Sequence, residues 1–266
     1  MKVAAEWAIL RRYAIMAVYE YRPVQGECSS GRGERSLLIS ETNVSLTQSL
    51  RFFKRYLNDP RTVGAIAPSS PGLSRALCGP FRARRGPARV LEVGAGTGSV
   101  TMQIARYFGP KDKLDVCEVN PVFGEILERE VLTRPGLREG VTDGRVRLLK
   151  QPVQELTEVE PYDYILSGLP FTSFELQDVE AIFDVIRRCL KPDGVFSYFE
   201  YVALRRASLA LAVGKKRRRV RSVSSYMNET IRNHQFERRT VLRNLPPAHA
   251  RHLRFDRTLQ VAAAAV

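Results

Sequence analysis

The stretch that most constrains this chain is Arg89–Thr101, RVLEVGAGTGSVT. A short apolar run, Val90–Val93, leads into Gly94, Gly96 and Gly98, and Thr97 and Ser99 open a helical pattern that reaches Tyr107. This reads as a strand, a tight glycine turn and a helix N-terminus. Glycine permits the turn and lets the backbone approach a ligand closely. The helix start adds free N–H groups and the positive end of the helix dipole, which suit a nucleotide-like ligand or a carboxylate. Taken alone, the glycines also fit a dinucleotide-binding turn or a purely structural βα turn. An acid follows at a telling distance. Lys113–Glu118, KLDVCE, reads as a second strand with Glu118 at its C-terminal end. A carboxylate about twenty residues past such a turn can accept hydrogen bonds from ribose hydroxyls.

Length and composition narrow the class. The chain has 266 residues, 44% of them apolar, with twelve Phe and ten Tyr. That is enough for one large α/β domain with a full core and an extension, and it excludes a disordered chain. The formal net charge of +14 points to a polyanionic partner, nucleic acid or an anionic membrane face. Cys28, Cys78, Cys117 and Cys189 are scattered with no C-x-x-C, so buried thiols in a reducing compartment are expected rather than zinc or a disulfide framework. No apolar run approaches the ~18 residues a membrane span needs.

Glu92 stands two residues before the first glycine, giving E-x-G-x-G-x-G over Glu92–Gly98. That pattern resembles motif I of the class I S-adenosyl-L-methionine (AdoMet)-dependent methyltransferases. The resemblance implies a Rossmann-like α/β domain with a seven-stranded mixed sheet whose last strand is antiparallel. It also implies AdoMet as cofactor, held by Glu92, Gly94, Ala95, Gly96, Thr97, Gly98, Glu118 and Val119. The third strand is read over Val141–Lys150. At its end, Leu149–Gln154, LKQPVQ, departs from the Gly-Asp-Ala that such enzymes often carry to hold the adenine amino group. Gln151, Gln154 or a backbone carbonyl around Val153 is the substitute expected here.

Upstream, residues 1–41 read as an extension and linker. Arg11 and Arg12 interrupt the apolar segments Ala4–Leu10 and Tyr13–Tyr19, which spoils a signal-peptide core; a short membrane-touching helix and an extension from an upstream start codon both remain open. Residues 42–80 read as an amphipathic helix and lid segment, and 81–266 as the methyltransferase domain. Leu46, Leu50, Phe53 and Leu57 fall on one helical face of Thr42–Asp59, flanked by Arg51, Lys54 and Arg55. Such a face suits an anionic membrane interface, or ordinary packing on the domain.

The pairing of FFKRYLNDP (Phe52–Pro60) with GAIAPSS (Gly64–Ser70) ahead of the glycine loop resembles the bacterial phospholipid N-methyltransferases and their ornithine-lipid relatives. These belong to a larger group similar to the ribosomal RNA adenine dimethyltransferases. The resemblance runs from about Leu46 to Tyr201 and implies that Ser69 and Ser70 face the ligand. It extends to SGLPF, Ser167–Phe171, which follows the fourth strand, Tyr162–Ser167. In amino-directed enzymes of this fold the loop orients the acceptor nitrogen. Base-directed members usually start it with Asn or Asp; Ser167 looks like the lipid-amine branch. Ser167, Gly168, Leu169, Pro170 and Phe171 are therefore the expected acceptor residues. Phe171 would wall the site and hold a methylated ammonium by cation–π attraction.

Glu175–Leu190 reads as a helix and Val195–Tyr201 as the fifth strand, with Asp193-Gly194 a turn between them. Glu200 and Tyr201 lie at that strand's C-terminal end, where ligands bind in open α/β sheets, and either is a candidate to position or deprotonate the amine. Fourteen Lys and Arg fall between Arg205 and Arg254 against Glu229 and Glu237 alone. The dense run is Lys215–Arg221, suited to an anionic leaflet or to RNA phosphates. His234, His249 and His252 lack metal-ligand spacing, so no metal is expected. Phe236–Leu245 and Ala250–Leu259 read as a final hairpin. The function expected is AdoMet-dependent N-methylation of a membrane lipid amine, on phosphatidylethanolamine or an ornithine lipid, by a cytoplasmic protein peripheral on the inner membrane face. RNA adenine N6-methylation is the alternative, disfavoured by Ser167.

Overall fold

A computed structural model describes residues 69–157, 160–202, 213–244 and 247–255. The extension 1–41, its linker and the Thr42–Asp59 helix lie outside the described residues. Seven strands form one sheet in the order β3-β2-β1-β4-β5-β7-β6. They are β1 (Arg89–Val93), β2 (Lys113–Cys117), β3 (Val146–Leu149), β4 (Tyr162–Ser167), β5 (Leu190–Tyr201), β6 (Gln235–Val241) and β7 (Ala248–Leu253). Strands β1 to β5 are mutually parallel, and β7 runs antiparallel to both β5 and β6. The chain reverses direction across the sheet between β1 and β4, the place where open α/β sheets form a ligand crevice at their carboxyl edge.

Helices cover both faces. Helix α1 (Pro71–Leu77) is capped by Ser70, whose Oγ accepts from Leu73 N at 3.2 Å; Pro71 at its first position lacks an N–H that would need a partner. A short α2 (Gly79–Arg82) follows. Helix α3 (Ser99–Ala105) leaves the glycine turn, and α4 (Pro121–Ile126), capped by Asn120, widens into a π-helical turn at Leu127–Val131. The remaining helices are α5 (Arg138–Thr142), α6 (Leu176–Cys189) and α7 (Gly214–His234). One core joins Leu73 and Leu77 of α1 to Val90, Ile104, Phe199 and Tyr201. The other joins Phe183 and Ile186 of α6 and Met227 of α7 to Leu91, Phe171, Phe196 and Tyr198.

Several boundaries move from the sequence reading. The third strand does not begin at Val141: Arg138–Thr142 is helical, and Asp143-Gly144 turns the chain, with Asp143 Oδ1 accepting from Arg145 N at 3.1 Å. Gly144 sits at φ +78°, a conformation that ends any strand reading there. Strand β5 starts at Leu190 rather than Val195, with an irregularity in its pairing to β4. The basic run Lys215–Arg221 is the start of the 21-residue α7.

Asp115 fixes the register of the parallel strands. Its carboxylate is buried and accepts from Arg89 Nη2 at 3.0 Å, Arg147 Nε at 2.6 Å and Tyr162 Oη at 2.8 Å, so one side chain ties β2 to β1, β3 and β4. Removing its charge leaves Arg89 with a poorer partner. Asp115→Asn is expected to lower unfolding free energy by about 2 kcal/mol, read as a drop of about 4–8 °C in Tm for a domain of this size; an unchanged melt contradicts the role given to Asp115.

Candidate active site

The glycine turn and the SGLPF loop meet at the carboxyl edge. Val93 and Ser167 are register partners at the ends of β1 and β4, and Gly168 N donates to Val93 O at 2.8 Å. The contact beyond them demands glycine at Gly168, and Gly94 sits at φ +70°, which favours glycine there. A Cβ on Gly168 would fall 2.4 Å from Gly94 O, and one on Gly94 would fall 2.5 Å from Leu169 Cδ2. Gly94 N is held in turn by Cys117 O at 2.9 Å. The turn that approaches the cofactor and the loop expected to hold the acceptor are thus packed backbone to backbone.

Two carboxylates converge on the turn. Glu118, at the end of β2, is buried and accepts from Gly96 N (2.7 Å) and Asn120 N (2.8 Å). These bonds aim it at the glycine turn and use one lone pair on each oxygen, leaving acceptor capacity for a diol. Burial pushes its carboxyl above the usual range, partly offset by those amides. Glu92, at the end of β1, is 1% exposed, and its Oε2 has no hydrogen-bond partner among the described residues. Burial raises its carboxyl to about 7, Thr101 draws it back, and the charge of Glu118 adds to the rise. Over Gly96, at φ +56°, an added Cβ would meet nothing within 4 Å. An orphaned buried carboxylate oxygen, open space above a glycine and a second carboxylate beside it fit AdoMet, for which Glu118 would face the ribose diol and Glu92 would be the acceptor left for the ammonium group.

The other expected cofactor residues line up around this pair. Ala95 is buried, with its N–H directed to Cys117 O at 3.4 Å, and Thr97 is exposed on the turn. Gly98 caps α3 at φ +82°. Val119 adjoins Glu118 and is half-buried. Gln151 O accepts from Cys117 Sγ at 3.1 Å, which brings the segment after β3 to the end of β2, and buried Val153 opens a 3-10 turn there in which Gln154 is exposed. Ser69 precedes Ser70, which caps α1; that helix packs against α3, β5 and β7, and Ser70 N donates to Asn244 Oδ1 in the turn between β6 and β7 at 3.3 Å.

On the acceptor side, Ser167 is buried and its Oγ accepts from Leu169 N at 3.2 Å, bending the loop after β4. Pro170, Phe171 and Thr172 then border a cavity of about 30 Å³. Tyr198, Phe199, Glu200 and Tyr201 of β5 form its floor, and Ser224 and Met227 of α7 close it. Phe171 is 3% exposed and packs its ring against Phe183 and Tyr198, 5.2 and 5.6 Å between centroids. It is therefore a core anchor that shows the cavity only part of its surface, and the aromatic wall is shared with β5. Glu200 is held in an ion pair: Arg251 Nε donates to its Oε2 at 2.7 Å, and Arg251 Nη1 donates to Gln235 Oε1 at 2.6 Å. Burial pushes the Tyr201 hydroxyl up. Neither side chain is set up as a ready general base.

Ser224 and Met227 are absent from the sequence reading. The signal was there: Val220, Val223, Met227 and Thr230 recur at helical spacing beyond the basic run, and all four are buried. His252 is also buried, 2.8 Å from Ser197 Oγ through Nδ1, and burial lowers it to about 4, so it is a neutral core histidine. Among the described residues no group of His, Cys, Asp or Glu is arranged to hold a metal. Cys78, Cys117 and Cys189 are buried and unpaired.

This geometry agrees with comparison to known proteins. Residues 90–194 match the family model described as "Methyltransferase domain". The fold is shared with a protein of Klebsiella pneumoniae assigned as an O-methyltransferase, at a TM-score of 0.51 and 15% identity over 82% of this chain and 97% of that one. The chain is a class I AdoMet-dependent methyltransferase. It is also 33% identical, over 148 residues, to the ornithine lipid N-methyltransferase of Singulisphaera acidiphila, a match covering 55% of this chain and 74% of that protein. It belongs to the bacterial phospholipid and ornithine-lipid N-methyltransferase family.

The raised Glu92 carboxyl gives a pH test. Below about 7 the folded protein keeps Glu92 protonated; above it the carboxylate forms, at a cost to the ligand-free protein but ready for an ammonium partner. AdoMet affinity by calorimetry is expected to rise between pH 6 and 7.5, and Glu92→Gln to lose about tenfold at pH 7.5 while flattening the rise. Equal affinity of both proteins at pH 7.5 contradicts the assignment.

Proposed function

We propose that this protein transfers methyl groups from AdoMet to the aliphatic amine of a membrane lipid, phosphatidylethanolamine or an ornithine lipid, while docked on an anionic membrane face. The observation that carries the reading is the cavity beside Pro170–Thr172. It has a volume of about 30 Å³ and is bordered by the end of the SGLPF loop, β5 and α7. Phe171 and Tyr198 bring aromatic side chains to it on the α7 side of the sheet, which favour an ammonium carrying methyl groups. The ornithine-lipid activity of the Singulisphaera relative supports the same substrate class.

AdoMet, when bound, supplies an activated methyl on a sulfonium sulfur. The protein's part is positioning. Glu92, Glu118 and the Gly94–Gly98 turn would fix the cofactor, Gln151 and the Val153 turn would border its adenine, and Ser167–Phe171 would fix the amine. With the two loops in backbone contact, these residues would hold cofactor and amine side by side, and alignment of the two lowers the barrier without a covalent enzyme intermediate. The aromatic floor disfavours water around the amine and favours loss of its proton, which frees the lone pair.

The membrane face is the carboxyl edge. Helix α7 ends at His234, directly before β6, and β6 runs parallel to β5. Its 21 residues span about 30 Å, while the seven-residue β6 spans about 23 Å, so the first turns of α7 extend past the edge where the site opens. Lys215, Lys216, Arg217, Arg218 and Arg221 are exposed there. Val213 (84% exposed) precedes them, and Leu242 (74%) follows β6 on the same edge. Basic charge with exposed apolar residues is the composition of a peripheral membrane face, each charge contributing about 1 kcal/mol. No helix among the described residues is long and apolar enough to cross a membrane. The reading sets the protein on the inner leaflet.

Expression in a bacterium lacking methylated lipids, with and without an ornithine-lipid synthase, tests the substrate. Thin-layer chromatography with labelled methionine is expected to show methylated phosphatidylethanolamine in the plain strain or methylated ornithine lipid in the supplemented one. Label absent from lipid and present in RNA adenine assigns the basic turns to phosphate binding instead. Replacing Lys215, Lys216, Arg217 and Arg218 with Ser is expected to cut sedimentation with anionic vesicles at least tenfold and leave AdoMet binding unchanged; undiminished sedimentation removes α7 from the membrane face.

A further inference from the structure

Resting on that reading, we infer that Ser224 of α7 is an acceptor-positioning residue: its hydroxyl takes an N–H of the lipid amine and turns the nitrogen lone pair toward the cofactor. Ser224 is 5% exposed, and its Oγ has no hydrogen-bond partner among the described residues. A buried hydroxyl is normally satisfied. Within a helix the usual outlet is the carbonyl four residues back, and Ser222, two positions earlier, takes it, donating to Arg218 O at 3.1 Å. Ser224 does not, and it lines the cavity with Met227.

The setting suits an aliphatic amine. Phe171 and Tyr198 supply aromatic side chains on the α7 side of the sheet, and the carboxylate of Glu200, which also lines the cavity, is already paired with Arg251. Ser167, the polar group expected to orient the amine, has its Oγ engaged by Leu169 N. Ser224 thus offers an uncommitted oxygen on the opposite wall. Helix α7 packs directly against the Phe171–Ser173 turn that follows the acceptor loop, and Arg219 Nη1 lies 3.4 Å from Glu175 Oε1 at the start of α6. In the transfer, nitrogen bonds to the methyl carbon as the carbon–sulfur bond breaks. The electron pair of that bond stays on sulfur, and the surplus proton leaves nitrogen for water.

The number of N–H groups changes along the series, and this separates positioning from structure. A primary amine has an N–H for Ser224 to hold after the other is free to leave; a dimethylated amine has none. Purified full-length protein is assayed on vesicles of phosphatidylethanolamine or ornithine lipid and on their N,N-dimethyl forms, with thermal melts in parallel. Ser224→Ala is expected to lower kcat about fivefold on the primary amine and leave any rate on the dimethylated lipid unchanged. Ser224→Thr, which keeps the hydroxyl, is expected to restore the primary-amine rate. An equal loss on both lipids, no loss, or a Thr variant as slow as Ala overturns the assignment of Ser224. Wild-type protein that labels no lipid amine overturns instead the function on which the assignment rests.

Discussion

The close approach of Gly94 and Gly168 is the contact on which the site depends. A methyl group on either would collide, at 2.4 Å with backbone or at 2.5 Å with Leu169, and a collision with backbone cannot be relieved by a rotamer change. The pair therefore sets the distance between the cofactor turn and the acceptor loop at a value no larger residue allows. Everything else at the carboxyl edge serves that contact. Parallel pairing of β1 with β4 delivers the two loops side by side, Cys117 O and Glu118 pull the glycine turn toward β2, and Ser167 Oγ bends the chain toward Pro170.

The same edge divides labour by polarity. On the β1–β2 side stand two buried carboxylates, Glu92 unsatisfied and Glu118 held by backbone amides, a field that favours a cationic, hydroxyl-rich cofactor. On the β4–β5 side stand aromatic rings and one open hydroxyl. Helix α7 links that pocket to the exterior: buried Ser224 and Met227 face inward, and the exposed lysines and arginines of its first turns lie farther out along the same helix. A membrane lipid presented by its headgroup would meet the basic turns before its amine reaches the cavity.

Much of this is legible in the sequence. Five strands and a closing hairpin can be read from β-prone runs, their arrangement in one mixed sheet follows from the family resemblance, and the glycine turn, Glu118 and SGLPF locate the two loops because their chemistry demands particular residues at particular spacings. The failures have physical causes. Val141 and Thr142 are β-branched yet helical, since the Asp143-Gly144 turn decides the local chain direction. Lys215–Arg221 reads as a charge run because six cations mask the apolar spacing that continues to Thr230, and with it the helix that brings Ser224 to the cavity. Phe171 reads as a wall of the site, whereas its ring is largely committed to Phe183 and Tyr198. The Glu200–Arg251 pair is a register effect of two strands fifty residues apart, invisible without the fold.

The account's central claim is that the acceptor is an aliphatic lipid amine. The direct measurement is a competition: purified protein and methyl-labelled AdoMet are given vesicles of phosphatidylethanolamine and ornithine lipid together with total bacterial RNA, and the label is partitioned between organic and aqueous phases. Label in the organic phase, lost on omission of the vesicles and unchanged by omission of the RNA, is the predicted result. Label retained in RNA and released as methylated adenine would contradict it.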